Sequence, residues 1–297
     1  MRIPGCVQWV LERGQCMEIR KMLFVTDFEG LWFDALQSLM GLREVGLDHV
    51  VLLHVIERKV GYYTKEEKAR LMAMAEVRFV DWAQSLYEEG MECGSYIVVG
   101  DTVGKILEAA TDEEVDLVVI NRQKRGKMEK LYVDSKTIEF LRKTPSPALI
   151  LKYKAEPERA SEKLFERPLL AMDWSPPATR ALEFLVGLKS RIKKLLVAQV
   201  VTEKGIEGLG RRGLQKMERD HRKRLDELCG ALDSEGINAE AHLYIGDVNQ
   251  IENAAREYEA TLIASGTTRK SSWQARWLRS VSQELTELSE LPTLLVP

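Results

Sequence analysis

The sequence has no apolar run long enough to cross a bilayer. A span needs roughly 18 or more consecutive apolar residues, and the longest clean runs, such as 50-VVLL-53 and 117-LVVI-120, stop after a handful. Near the start, Glu12 and Arg13 interrupt a short apolar patch before a signal-like core can form, so residues 1–20 read as an N-terminal extension. Cysteine is scarce. Cys6, Cys16, Cys93 and Cys229 form no Cys-x-x-Cys pair and have no histidine at metal spacing, so zinc and redox chemistry lack a basis. Reduced thiols in a cytoplasm are the expectation. The four histidines, His49, His54, His221 and His242, are scattered, and no Ser-His-Asp order or carboxylate pair assembles at matching strand ends. Nor is there an excess of one charge. Forty-three Lys and Arg stand against 46 Asp and Glu, a net of −3, which leaves no polyanion-binding footprint and gives nucleic acid no evident role.

What is present is a chain of 297 residues, 45% hydrophobic and 30% charged, the balance and length of a globular protein with two domains. The chain repeats itself. Asp27 ends the apolar run 22-MLFVTD-27 and Asp173 ends 168-PLLAMD-173, 146 residues later. The skeleton Ala35, Leu36, Leu39, Gly41, Leu42 returns as Ala181, Leu182, Leu185, Gly187, Leu188 at the same interval. The runs 49-HVVLLHVIE-57, 97-IVVGD-101, 114-EVDLVVIN-121 and 145-PSPALILK-152 return as 194-KLLVAQVVT-202, 243-LYIGD-247, 259-EATLIASG-266 and 290-ELPTLLVP-297. A register kept through five elements marks a duplication.

Within each copy the apolar runs are short, rich in Val, Ile and Leu, and lack period-two alternation, as parallel strands buried on both faces do. Segments of helical period separate them. Thr64 and Glu67 form a capping box ahead of Leu71, Ala75, Phe79, Trp82 and Leu86, one apolar helix face. The pairs 100-GD-101 and 246-GD-247 predict helix starts capped by aspartate. The fold class is α/β, two tandem doubly wound sheets of five parallel strands. The divisions are an extension at 1–20, a first domain at 21–153, a charged linker at 154–166 and a second domain at 167–297.

Ligands of open parallel sheets bind beyond the carboxyl ends of the strands where strand order reverses. The residues standing there are Asp27 and Asp173 after strand one, Val55 and Val200 at the end of strand two, and Asn121 and Gly266 after strand four. The loop after strand four is basic in both copies, 121-NRQKRGKMEKLYVDS-135 and 266-GTTRKSSWQARWLRS-280. Arg122, Lys124, Arg125 and Lys127 fit a phosphate patch or a solvated loop alike. His54, inside an apolar strand, reads as a hydrogen-bonded core histidine, and Gln199 is its counterpart, fit for the same structural job.

These tandem copies resemble two universal stress protein domains, a family whose five-stranded doubly wound fold is related to the adenine-nucleotide alpha hydrolases. In its nucleotide-binding members the loop after strand four reads Gly-x-x-Gly, nine residues, then Gly-Ser/Thr. The first copy meets that pattern with Asn121, Lys124, Asp134 and Ser135, so no glycine remains. The second meets it with Gly266, Arg269, Arg279 and Ser280, keeping one glycine and the hydroxyl. The resemblance implies ATP or AMP held by Asp173, Val200, Gly266, Thr267, Ser280 and Val281 in the second copy, ahead of Asp27, Val55 and Ser135 in the first, with Mg²⁺ only alongside ATP. It also implies a cytoplasmic stress-response protein that assembles as a homo-oligomer and acts on a regulatory protein partner. Three readings stay open: a nucleotide-responsive regulatory module, a slow ATP hydrolase, and a partner-binding protein with both pockets closed by the bulky Lys124, Arg269 and Arg279.

Overall fold

A computed structural model describes residues 18–28, 32–57, 63–123, 135–153, 163–267 and 289–297. They divide into two compact units, one comprising Glu18–Glu162 and the other containing Lys163–Pro297. The first runs β1 (Lys21–Val25), α1 (Trp32–Ser38), a 3-10 turn (Met40–Val45), β2 (His49–Glu57), α2 (Lys65–Glu88), β3 (Glu92–Gly100), α3 (Thr102–Asp112), β4 (Leu117–Gln123), α4 (Ser135–Lys143) and β5 (Ala148–Tyr153). Its strands lie in the order β3-β2-β1-β4-β5, with each adjacent pair parallel. The chain steps outward from β1 to β3, then returns to the other side of β1 for β4 and β5. Strand order therefore reverses between β1 and β4.

Hydrophobic burial explains which strands sit where. Met22, Leu23 and Phe24 of β1, Val50 through Leu53 of β2 and Leu117 through Val119 of β4 are all sealed from solvent, as central strands covered on both faces must be. β3 is different. Among the described residues it pairs only with β2, and Glu92, Ser95 and Tyr96 are exposed. Being an edge strand, it tolerates a polar first half, so it begins at Glu92 rather than at the apolar run from Ile97. The helices start where the sequence says. Thr64 Oγ1 accepts from Glu67 N at 3.1 Å while Thr64 N donates to Glu67 Oε2 at 2.8 Å, and Asp101 Oδ2 accepts from Gly104 N at 2.7 Å.

The second unit repeats the plan with β6 (Pro168–Ala171), α5 (Pro176–Gly187), β7 (Leu195–Val201), a one-turn α6 (Glu203–Ile206), α7 (Arg211–Ser234), β8 (Ala239–Ile245), α8 (Asn249–Glu257), β9 (Leu262–Gly266) and β10 (Thr293–Val296). Its order is β8-β7-β6-β9-β10, again parallel. Leu169, Leu196, Ala198, Ile251, Ala254, Ala255 and Ile263 form a core between the sheet and α8. The expected aspartate cap is shifted here. Asp247 Oδ1 accepts from Asn249 N at 3.0 Å, while the helix cap itself is Val248, with no side-chain bond.

Backbone conformation carries the duplication further than composition does. Left-handed residues recur in matched pairs: Phe28 (φ 61°) and Trp174 (φ 64°), Gly90 (φ 75°) and Gly236 (φ 82°), Glu114 (φ 50°) and Glu259 (φ 50°). The glycines close α2 and α7, where the next residue's N–H reaches back to Leu86 O and Leu232 O and glycine takes positive φ at least cost. The aromatic pair has no such excuse.

Candidate functional site

In the second domain the strand-end rim is polar and tightly cross-linked. After β6 the chain turns through Asp173, whose Oδ1 accepts from Ser175 N at 2.9 Å. Trp174, between them, is forced into the left-handed region, a strain that concentrates at functional sites. Arg224, from α7, stacks its guanidinium 3.8 Å from the centroid of the Trp174 ring, a cation–π contact worth about 0.5–2 kcal/mol. One turn earlier on α7, His221 Nδ1 accepts from Gln199 Nε2 of β7 at 2.8 Å. Trp174, Arg224, His221 and Gln199 thus form one connected cluster across the ends of β6 and β7, next to Val200.

The cluster is polar and incompletely satisfied. Gln199 is 5% exposed, and its Oε1, like Trp174 Nε1, is buried without a hydrogen-bond partner. Buried groups of this kind cost about 1–3 kcal/mol each when left unmade, so a buried acceptor and a buried donor on one rim fit a ligand edge carrying the complementary pair. His221 is held below the ordinary histidine value, chiefly by burial and then by the Arg224 charge, with Asp220 opposing both. A neutral imidazole is what the Gln199 contact requires.

The first domain builds the same rim from other materials. Phe28 stands where Trp174 does, and Arg78 of α2 lies 5.2 Å from its ring centroid while donating to Phe28 O at 2.9 Å. Beneath it, Phe28 packs on His54 (centroids 4.7 Å apart), Phe79 (5.0 Å) and Trp82 (5.6 Å). His54 is hydrogen-bonded inside the protein, Nδ1 lying 2.9 Å from Thr26 O. Gln199 does a different job from His54, reaching out to α7 instead of down to the β6 end. Where the second domain has polar side chains, the first is packed with rings. Asn121 Nδ2 donates to Val25 O at 3.2 Å across the reversal point, while its Oδ1 is buried without a hydrogen-bond partner.

The end of β9 has a structural reason for its glycine. A Cβ on Gly266 would lie 2.3 Å from both Pro177 C and Ala178 N and 2.7 Å from Pro177 Cβ, so the start of α5 presses directly on the strand. That helix start has no donors to spare. Pro176 and Pro177 carry no N–H, Ala178 N donates to Ser175 Oγ at 3.3 Å, and Thr179 N donates to Ser175 O at 3.0 Å. An N-terminus with its amides absent or bonded does not cradle phosphate. Thr267 N is likewise committed, to Val296 O at 2.7 Å.

Of the residues picked out from sequence, the structure brings Asp173, Val200, Gly266 and Thr267 to one rim of the second domain, and Asp27, Val55 and Asn121 to the matching rim of the first. Ser135 opens α4. Lys124, Asp134, Arg269, Arg279, Ser280 and Val281 lie outside the described residues. Sequence reasoning missed the stacked pairs. Their signal was the interval: Phe28 to Trp174 and Arg78 to Arg224 are each 146 residues. Among the described residues no group of three or more His, Cys, Asp or Glu could hold a metal ion, and no helix is long and apolar enough to cross a membrane.

Two parallel α/β sheets of one topology, each with a charged or ringed rim at its strand-order reversal, define a duplicated protein of the doubly wound α/β class. The universal stress protein family matches residues 18–152 and again residues 165–297. The chain belongs to that family and carries two of its domains. It is similar to the universal stress protein MJ0577 of Methanocaldococcus jannaschii, 24% identical over 155 residues, which cover 46% of this chain and 96% of that protein. Among solved structures, a universal stress protein of Archaeoglobus fulgidus aligns over 94% of this chain and 97% of its own at 24% identity and a TM-score of 0.72. The functionally unknown protein PA1789 of Pseudomonas aeruginosa aligns over 95% and 93% at 18% identity and a TM-score of 0.66.

Proposed function

We propose that this chain is a regulatory binding protein in which the second domain takes an adenine nucleotide, AMP or ATP, and the first domain has given up the ligand for a packed interior. The observation that carries the reading is the contrast between matching rims: a buried acceptor and a buried donor without partners, Gln199 Oε1 and Trp174 Nε1, in one, and in the other a four-ring cluster of Phe28, His54, Phe79 and Trp82 with a single such atom, Asn121 Oδ1. The base would meet Gln199, Trp174 and Val200, with Asp173 beside the ribose. Because the first turn of α5 has no free amide, phosphates must be met by the segment that follows Thr267, where the family pattern places Ser280 and Val281. Mg²⁺ enters only with a triphosphate. No catalytic residue is assigned, and the nucleotide acts as a signal to a protein partner.

Isothermal titration with AMP, ATP and GTP tests this. Adenine nucleotides should bind in preference to GTP, and Gln199→Leu should weaken binding about tenfold, the equivalent of 1.4 kcal/mol. Asp27→Ala in the first domain should leave affinity unchanged. A wild-type protein that binds no adenine nucleotide at millimolar concentration, or one for which Asp27→Ala is the damaging change, would overturn the reading.

A further inference from the structure

We propose that the outer face of α2 is a docking surface for a second copy of this chain, joined through an antiparallel pair of α2 helices about a twofold axis. The inner face of α2 is accounted for: Ala75, Phe79 and Leu86 are buried against the first domain's sheet. Its outer face should be polar, and it is not. Met74 is 52% exposed, Val77 and Val80 65% each, and Tyr87 79%. With the exposed Ala73 and Gln84, Val77, Val80 and Tyr87 follow spacings of four, three, four and three along 73, 77, 80, 84 and 87, the a/d repeat of a helix that packs on another helix, and Met74 flanks its first position.

The duplication supplies an internal control. At the positions 146 residues later on α7, Met74, Val77, Val80 and Tyr87 are replaced by Asp220, Lys223, Asp226 and Asp233, all four charged and exposed. The same helix in the same fold is therefore built, in the second copy, with a charged and exposed outer face. The apolar stripe on α2 is a property of this copy and not a requirement of the architecture. At Tyr87 the stripe meets an open groove of about 820 Å³, lined by Ala83, Gln84, Tyr87, Gly90, Met91, Glu92 and Cys93.

Charge selects the occupant and its direction. The first turns of α2, residues 65–70, hold Lys65, Lys68 and Arg70 against Glu66 and Glu67, a net of +1, while residues 79–88 hold Asp81 and Glu88 and no cation, a net of −2. Two parallel copies would set like ends together. Antiparallel copies put Val77 against Val80 of the second chain and bring each Arg70 to the Tyr87–Glu88 end of the other, an isologous contact satisfied twice. Opposed helix dipoles add in the same sense.

Sedimentation velocity on the full chain across a concentration series reads this directly. The wild type should dimerise, and a variant carrying the α7 residues at the matching sites, Met74→Asp, Val77→Lys, Val80→Asp and Tyr87→Asp, should be monomeric with an unchanged circular dichroism spectrum. Should that variant fail to fold, Arg70→Glu should weaken the dimer at least tenfold and Arg70→Glu with Glu88→Arg should restore it. A wild type that stays monomeric across the series overturns the proposal. So does a dimer unaffected by either set of changes.

Discussion

At the scale of single residues, the structure separates two glycines that composition treats alike. Gly266 has no room for a Cβ beside Pro177 and Ala178, whereas Gly230, inside α7, has nothing within 4 Å. Gly266→Ala should cost about 1–3 kcal/mol of stability through overpacking, and Gly230→Ala should add about 0.4–1 kcal/mol by removing backbone freedom from the unfolded chain. Urea unfolding of the two variants checks both signs. His221 carries a prediction about pH. Its folded-state pKa lies below the ordinary value because burial and Arg224 disfavour the imidazolium, so the unfolded chain takes up the proton first. Stability is then complete above the ordinary histidine pKa of about 6.5 and is lost as pH falls below it. Thermal melts of the wild type should weaken from pH 7 towards pH 5. His221→Gln should flatten part of that slope and leave the share belonging to His242, whose pKa is also lowered by burial against the pull of Glu240 and Glu257. None of this was legible from residue types. The sequence shows a glycine where the family has one, and the reason visible in the fold is the close approach of α5.

At the scale of elements, local signals explain the helix boundaries well, because capping is a contact between neighbours in sequence. Thr64 with Glu67 and Asp101 with Gly104 both form as their spacing implies. Ser175 is a third cap, accepting from Ala178 N ahead of two prolines that begin α5. Ser175→Ala should lower stability by about 1 kcal/mol. The Asp173 carboxylate is held by the backbone N–H of Ser175, which alanine keeps, so Ser175→Ala, like Thr64→Ala, should lose stability without touching ligand affinity. Calorimetric melts paired with titration check both. The long helices show where element-level reading stops. Periodicity identifies the buried face of α2, but the opposite stripe of Met74, Val77, Val80 and Tyr87 emerges only once exposure is known and set beside α7. Likewise β3 starts five residues before its apolar run, because an edge position relaxes the demand for apolar side chains on which strand recognition depends.

At the scale of the whole molecule, duplication and divergence act together: one topology twice, with one rim filled by rings and the other left polar. If nucleotide binds as proposed, hydrogen exchange with AMP present should slow around Asp173, Gln199 and α7 and leave the Phe28 rim unchanged. At 100 times the dissociation constant the second domain should gain about 2.7 kcal/mol, seen as a shifted unfolding transition. The sequence by itself determined the repeat, the strand-and-helix order and the strand ends where a ligand would meet the sheet. Those features are written in the spacing of apolar residues, which senses burial locally along the chain. Only the tertiary structure decided that Arg78 and Arg224 lie over Phe28 and Trp174, that Gln199 turns to His221 while His54 turns to Thr26, and that Gly266 faces Pro177. Each of those contacts joins residues 22 to 89 positions apart, with backbone angles and helix rotation setting the meeting point, and no local pattern encodes that.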